Sequence, residues 1–247
     1  TKFVDGKRIV VDTIAPTAEV QYNEPVSMEG DVSYYAGTIE GVINVTEANF
    51  YAEDVNLYVS RDGGEFEALT PEWTMLGMDR NAGAFTLTGD GEYIVSAVYT
   101  DRSTNQMVEY ESSLLVIDTA DPEITVSGIR NRSANRDETI GFIVTVRDEN
   151  LDPASCRPRL MAEVCDDADG GTIFRELDMQ DTGAVNTVHN GGEYIYTYVV
   201  ENLDRDGIYT LSCEAADRAG HSVTEVSVEN SQNGRTGQDG ELVTEQV

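Results

Sequence analysis

The chain has 247 residues, 40% of them apolar, enough for a packed core and for two domains of ordinary size. Asp plus Glu number 46 against 16 Lys plus Arg, a formal charge of −30, and such a surface repels phosphate backbones and anionic lipid, which argues against nucleic acid and membrane partners. No apolar run reaches membrane-spanning length, and Thr1 in place of an initiator Met reads as a piece of a longer chain, so a missing leader says nothing about export.

Residues 1–9 read as an N-terminal extension, and VVDTIAPTAEV (10–20) opens the first strand. Strand signals follow at TIEGVINVT (38–46), VNLYVS (55–60), AFTLT (84–88) and YIVSAVYT (93–100). They are rich in β-branched and aromatic residues and are separated by turn residues such as RDGG (61–64). Only PEWTMLGM (71–78) suggests a short helical turn; no stretch shows a capped stripe of period 3.6. Then come VIDTADPEITV (116–126), TIGFIVTV (139–146), RPRLMAEV (157–164), EYIYTYVV (193–200) and YTLSCEAA (209–216). The last stretch, 230–247, is polar and Gly-rich and reads as a tail or linker. The predicted class is all-β.

Three signposts recur in one order. VDT-x-x-P (Asp12, Pro16) returns as IDT-x-x-P (Asp118, Pro122); NVTEANF (44–50) returns as TVRDENL (145–151); DGEYIVSAVYTDRSTN (90–105) returns as DGIYTLSCEAADRAGH (206–221). Two copies of one domain are expected, at 10–117 and 118–229, each a sandwich of about seven strands. In D-G-x-Y the Tyr enters strand F just after the E–F turn and its hydroxyl ties back to that turn, a role assigned to Tyr93 and Tyr209. Val95 and Leu211 stand where antibody domains carry Cys, so each sandwich relies on its apolar core. Pro122 and the lack of a Gly/Ser linker between the copies favour a stiff, end-to-end join over two freely tumbling beads.

The set D-T-x-x-P, T-E-x-N-F, D-G-x-Y and a closing D-x-A-G-N-like loop (here DRSTN and DRAGH) resembles the bacterial Ig-like domains, tandem modules of large surface proteins. The resemblance covers residues 10 to about 229 and departs at His221, where the family often has Asn. It implies two tandem immunoglobulin-like β-sandwiches on an extracellular bacterial surface. The implied role is a non-enzymatic rigid spacer or adhesion stalk, whose partners are neighbouring repeats and an unidentified protein or glycan. The rival expectation is a carbohydrate-binding or accessory module of a secreted glycan-active enzyme.

Strand direction gathers acids at one pole of each copy, because A leaves it while B and F return to it. In the second copy these are Asp118, Asp121, Asp148, Glu149, Asn150 and Asp217; in the first, Asp12, Glu47, Asn49 and Asp101. Oxygen ligands from several loops suit Ca²⁺, which takes six to eight of them. The commoner reading needs no metal: an Asp opening a turn accepts backbone N–H bonds, and Asp101 and Asp217 suit that role.

Other motifs read as structural. CDDADGGTIFRE (165–176) nearly fits a calcium loop, through Asp167, Asp169, Gly170 and Glu176, but begins with Cys and lies between strands, so a tight hairpin is expected. His189 and His221 read as solvated loop residues, Cys213 as core and Trp73 as an apolar plug at the sandwich edge. Cys156 and Cys165 bracket a strand of roughly 30 Å, so no structural disulfide is expected. NVT (44–46) and NRS (131–133) match a glycosylation sequon by chance, and a Lys–Asn isopeptide bond is excluded in the second copy, which has no Lys. No nucleophile, phosphate-loop or Cys/His metal motif is present, so neither a catalytic residue nor an organic cofactor is expected.

Overall fold

The computed structural model describes residues 11–127, 140–165, 170–177, 180–181, 193–200 and 207–229. The N-terminal extension (1–9), the NRS sequon, Asp167, Asp169, His189 and the tail (230–247) lie outside the described residues, as do the side chains of Cys165 and Tyr209. The chain divides into two compact units, Thr1–Thr119 and Ala120–Val247.

In the first unit the strands are β1 (Thr17–Tyr22), β2 (Ser27–Glu29), β3 (Val32–Tyr35), β4 (Ile39–Thr46), β5 (Val55–Arg61), β6 (Glu67–Leu69), β7 (Glu72–Met75), β8 (Arg80–Leu87), β9 (Gly91–Tyr99), β10 (Tyr110–Glu111) and β11 (Leu115–Ile117). One sheet has the order β1-β4-β8-β7; the other runs β2-β3-β11-β9-β5-β6, with β10 also on β9. In immunoglobulin terms these are A-B-E-D facing A′-G-F-C-C′. β3 runs parallel to β11, and every other pairing is antiparallel.

Alternation along each strand builds the core. Ile39, Ile43 and Val45 of β4, Phe85 and Leu87 of β8, Leu57 of β5, and Tyr93, Val95, Ala97 and Tyr99 of β9 all turn inward. Leu115 and Ile117 close it from β11. Gly41 pairs with Phe85, whose ring covers the space a Cβ on Gly41 would need. That absent side chain lets a large ring lie across the sheet.

The second unit repeats the plan with β12 (Glu123–Ser127), β13 (Ile140–Arg147), β14 (Arg157–Cys165), β15 (Thr172–Leu177), β16 (Gln180–Asp181), β17 (Glu193–Val200), β18 (Gly207–Ala216) and β19 (Ser222–Glu229). Its sheets are β12-β13-β17-β16 and β15-β14-β18-β19, again A-B-E-D and C′-C-F-G. Val144, Val146, Leu211, Cys213 and Ala215 are buried between them. The class is all-β and immunoglobulin-like, and no helix among the described residues is long and apolar enough to cross a membrane.

The structure corrects one local expectation. PEWTMLGM forms no helical turn: Glu72–Met75 is β7, paired with β8, because Trp73 gains apolar cover there by packing its ring 4.8 Å from Phe50. The only helical turn of the first unit's described residues is a 3₁₀ turn at Ala52–Asp54. RDGG is a two-residue turn with Asp62 and Gly63 both at positive φ and a Gly64 N–H to Arg61 carbonyl bond of 2.9 Å. CDDADGGTIFRE joins the antiparallel pair β14 and β15, so its flanks are strands.

The hydroxyl of Tyr93 lies 2.9 Å from the Thr88 carbonyl oxygen and 2.7 Å from that of Gly89, tying β9 to the turn before it. Replacing Tyr93 by Phe removes this tie without opening a cavity. We expect a loss of about 1 kcal/mol in denaturant unfolding with unchanged m, the ordinary worth of one hydrogen bond.

Candidate metal centre at the loop pole

Three strand ends of the first unit bring acids together. Asp12 precedes β1, Glu47 directly follows β4, and Asp101 follows β9. The antiparallel pairing of Thr17 with Thr46 sets the start of β1 beside the end of β4. One carboxylate oxygen from each acid lies within 4.8 Å of the other two. Glu47 and Asp101 are buried, 4% and 5% exposed, whereas Asp12 is half-buried.

Each acid also organises its own loop. Asp12 Oδ1 accepts the Ile14 N–H at 3.1 Å, and Oδ2 accepts from the Asn49 side-chain amide at 2.7 Å. Glu47 Oε1 accepts the Asn49 N–H at 2.6 Å. Asp101 Oδ1 accepts the N–H groups of Ser103 and Asn105 at 2.9 and 2.8 Å, and Oδ2 the Asn105 amide at 2.7 Å. The same amide reaches the Asp12 carbonyl at 3.3 Å, joining the first and last members of the set. The Ile14 N–H, then the Asn49 amide, hold the Asp12 carboxyl below the usual carboxylate range.

An aromatic layer closes the floor. Tyr99 is fully buried, its hydroxyl accepts the Tyr51 N–H at 3.3 Å, and Phe50 packs on it at 6.0 Å. Burial raises the Tyr99 phenol, and the nearby charges of Glu47, Asp54 and Asp101 push it the same way. Arg102 lies over the Tyr51 ring at 3.3 Å and bonds Glu53 at 2.7 Å and Asp54 at 2.9 Å.

The second unit reproduces the bonds with different groups. Asp148 Oδ1 accepts the Asn150 N–H at 2.7 Å, as Glu47 accepts that of Asn49. Asp217 Oδ1 accepts the His221 N–H at 2.8 Å, as Asp101 accepts that of Asn105. Asp217 Oδ2 meets His221 Nδ1 at 2.8 Å, so an imidazole stands where the first unit has an amide. Carboxylate oxygens of Asp148 and Asp217 lie within 4.8 Å of each other. Asp118 is 6% exposed, with its N–H on the Tyr35 carbonyl at 3.0 Å, while Asp121 and Glu149 are exposed.

His221 is therefore not a solvated loop residue: its side chain is 21% exposed and seated on Asp217. Asn105, His221, Arg102 and Arg218 organise the poles, and sequence reasoning gave them no role. The signal was present in the shared D-R and in the fifth loop position, Asn in one copy and His in the other. The cysteines that approach each other are not the two along one strand: Cys156 Sγ lies 3.8 Å from Cys213 Sγ, across strands, both as free thiols. Trp73 is partly buried against the core, as an edge plug should be.

No protein-family model matches the chain, and no curated protein matches it. Among solved structures the chain is similar to the fibronectin(III)-like modules of Clostridium thermocellum CbhA, at 13% identity over 90% of this chain and 99% of that one, with a TM-score of 0.33. It is similar to bovine butyrophilin at 11% identity over 87% and 99%, with a TM-score of 0.41. A DUF4785 family protein from Legionella pneumophila follows at 13% over 83% and 55%, with a TM-score of 0.29. The immunoglobulin-like assignment stands on the strand order and on the Tyr93 tie.

Two outcomes test the pole. His221→Asn should leave thermal stability nearly unchanged, because an amide does this work in the first unit, whereas His221→Ala should cost about 1 kcal/mol. Because the folded Asp12 carboxyl is lowered from its ordinary 3.8, its contribution is present above that value and is lost as pH falls through the folded pKa. Asp12→Asn should therefore flatten the stability–pH curve below about pH 4 and leave its shape near neutrality alone.

Proposed function

We propose that the chain is a non-catalytic immunoglobulin-like repeat module of an exported bacterial surface protein, acting as a spacer and adhesion stalk, with Ca²⁺ held at the acidic loop pole. The observation that carries this reading is the grouping of Asp12, Glu47 and Asp101, two of them buried, at the meeting of three loops. Oxygens bound to one Ca²⁺ at roughly 2.3–2.6 Å stand no more than about 5 Å apart, and these three meet that limit. The donor set is all oxygen, as a hard cation requires. Asp12, Glu47 and Asp101 would hold the ion, with Asn49 bonded to the first two.

Surface location and adhesion rest on the motif resemblance and on the acidic surface, which suits an exposed, solvated module. Two depressions lie on the first unit. One is lined by Glu19, Asn44 and Arg80, the other by Glu53, Tyr58 and Trp73, and neither holds the pair of acids that a hydrolase of sugars needs. The glycan-binding alternative calls for a flat aromatic platform. Trp73 is committed to Phe50, and Arg102 covers the Tyr51 ring. Among the described residues, Phe66 and Phe174, 48% and 72% exposed, are the aromatics that remain more than 40% exposed, one in each unit.

Thermal melting in millimolar CaCl₂ against chelator tests the metal. Native-state binding stabilises by RT ln(1 + [L]/Kd), about 2.7 kcal/mol at a hundredfold excess over Kd. The rise should shrink in Asp101→Asn, which keeps an oxygen for the loop N–H groups while losing the charge. An unchanged melting point at millimolar calcium removes the metal from the reading, and specific retention on a glycan array replaces the stalk by its alternative.

A further inference from the structure

We propose that Cys156 and Cys213 form a thiol–disulfide site that clamps the loop after β13 to β18. The two sulfurs lie 3.8 Å apart as thiols. A bonded pair stands at about 2.05 Å, so closure requires the two sulfurs to approach by a little under 2 Å.

Strand register explains the meeting. β14 and β18 pair Pro158 with Cys213 and Arg157 with Glu214. Cys156, two residues before Pro158, therefore shares a face with Cys213 as its diagonal neighbour across the ladder. That face is the inner one, since Leu211, Cys213 and Ala215 are all buried.

The approach to Cys156 is anchored from both sides. Ser155 Oγ accepts the Ala216 N–H at 2.7 Å, lies 2.8 Å from the Ala216 carbonyl, and reaches the Asp152 carbonyl at 2.7 Å. The Asp152 N–H donates to the same Ala216 carbonyl at 3.0 Å. Backbone and side-chain bonds thus hold one thiol against the other, which raises their effective concentration. Cys165, at the far end of β14, is separated from Cys156 by nine steps of extended chain, roughly 30 Å, and cannot compete.

The chemistry is exchange with an oxidised dithiol oxidoreductase or a low-molecular-weight disulfide. Cys156, the more exposed thiol, attacks as thiolate and expels one thiol of the oxidant. Cys213 then attacks the Cys156 sulfur and expels the second. Two electrons pass from the cysteine sulfurs to the oxidant disulfide, and the two thiol protons end on the two released thiols.

The full chain is incubated in oxidised glutathione, blocked with a maleimide and digested. The expected result is a peptide joining Cys156 to Cys213, a mass lower by about 2 Da, one maleimide taken up by Cys165, and a melting point higher by on the order of 10 °C than in reductant. Cys156→Ser, a change near the surface, should abolish link and shift together, while Cys165→Ser should keep both. Full labelling of all three thiols after oxidation, or a link that includes Cys165, overturns the proposal. So does a Cys156–Cys213 link that leaves the melting point unmoved, since a clamp must stabilise.

Discussion

At the acidic pole, the strands entering the loops are followed by a carboxylate that accepts the N–H of its own loop. Glu47, Asp101, Asp148 and Asp217 all do this, and Asp12 does it on the way into β1. The grouping has a cost. Like charges this close repel one another. Six N–H contacts from Ile14, Asn49, Ser103 and Asn105 oppose it. Hydrogen bonds to a charged acceptor are stronger than those between neutral groups, so they offset part of it. Bonded in this way the acids are ordered, and a divalent cation bound there would offset their repulsion.

The two units solve one geometric problem with different groups. In the first, side chains secure the loop after the B strand: Arg102 bonds Glu53 and Asp54 and covers Tyr51, whose N–H bonds the Tyr99 hydroxyl. In the second, the backbone does more. The Arg218 N–H donates to the Asn150 carbonyl at 2.9 Å, its guanidinium to the Leu151 carbonyl at 2.8 Å, and Leu151 bridges Asp217. Phe50 fills the floor of one pole and Leu151, 1% exposed, is buried in the other. Duplication kept the acids and the arginine, while the groups beneath them changed in size and chemistry.

The fold was largely legible because its determinants are local. Alternation in 38–46 and 93–100 marks β4 and β9, D-G-x-Y marks the Tyr93 tie, and the positive φ values at Asp62 and Gly63 follow from RDGG. The pole was legible for a topological reason: once A, B and F are assigned, their ends must meet, so Asp12, Glu47 and Asp101 could be placed together without coordinates. What escaped depends on partners far away in sequence. Trp73 lies in a strand because Phe50 covers it, and WTMLGM alone carries equal apolar weight for a turn. His221 binds Asp217 only in the loop conformation that Asp217 itself creates. Cys156 meets Cys213 through a register that no count along the chain reveals.

Order at the pole has a thermodynamic consequence for whatever binds there. Loops that must be fixed on binding lose conformational freedom, which subtracts from affinity, and loops already fixed escape that loss. In the second unit the segment from Asn150 to Cys156 is stitched to the end of β18 by Arg218, Asp152 and Ser155, and Asp148 stands immediately before it. The Asp148 carboxylate is thus presented from a loop whose far end is anchored, and Asp217 is held by the residue four positions on. Anchoring of this kind favours a ligand that demands several oxygens in fixed places over one that tolerates a mobile surface. It also places the cysteine pair where it controls that anchoring: a covalent bond between Cys156 and Cys213 would restrain the same loop that presents Asp148, so the redox state of the clamp and the order of the pole are linked through one short segment of chain.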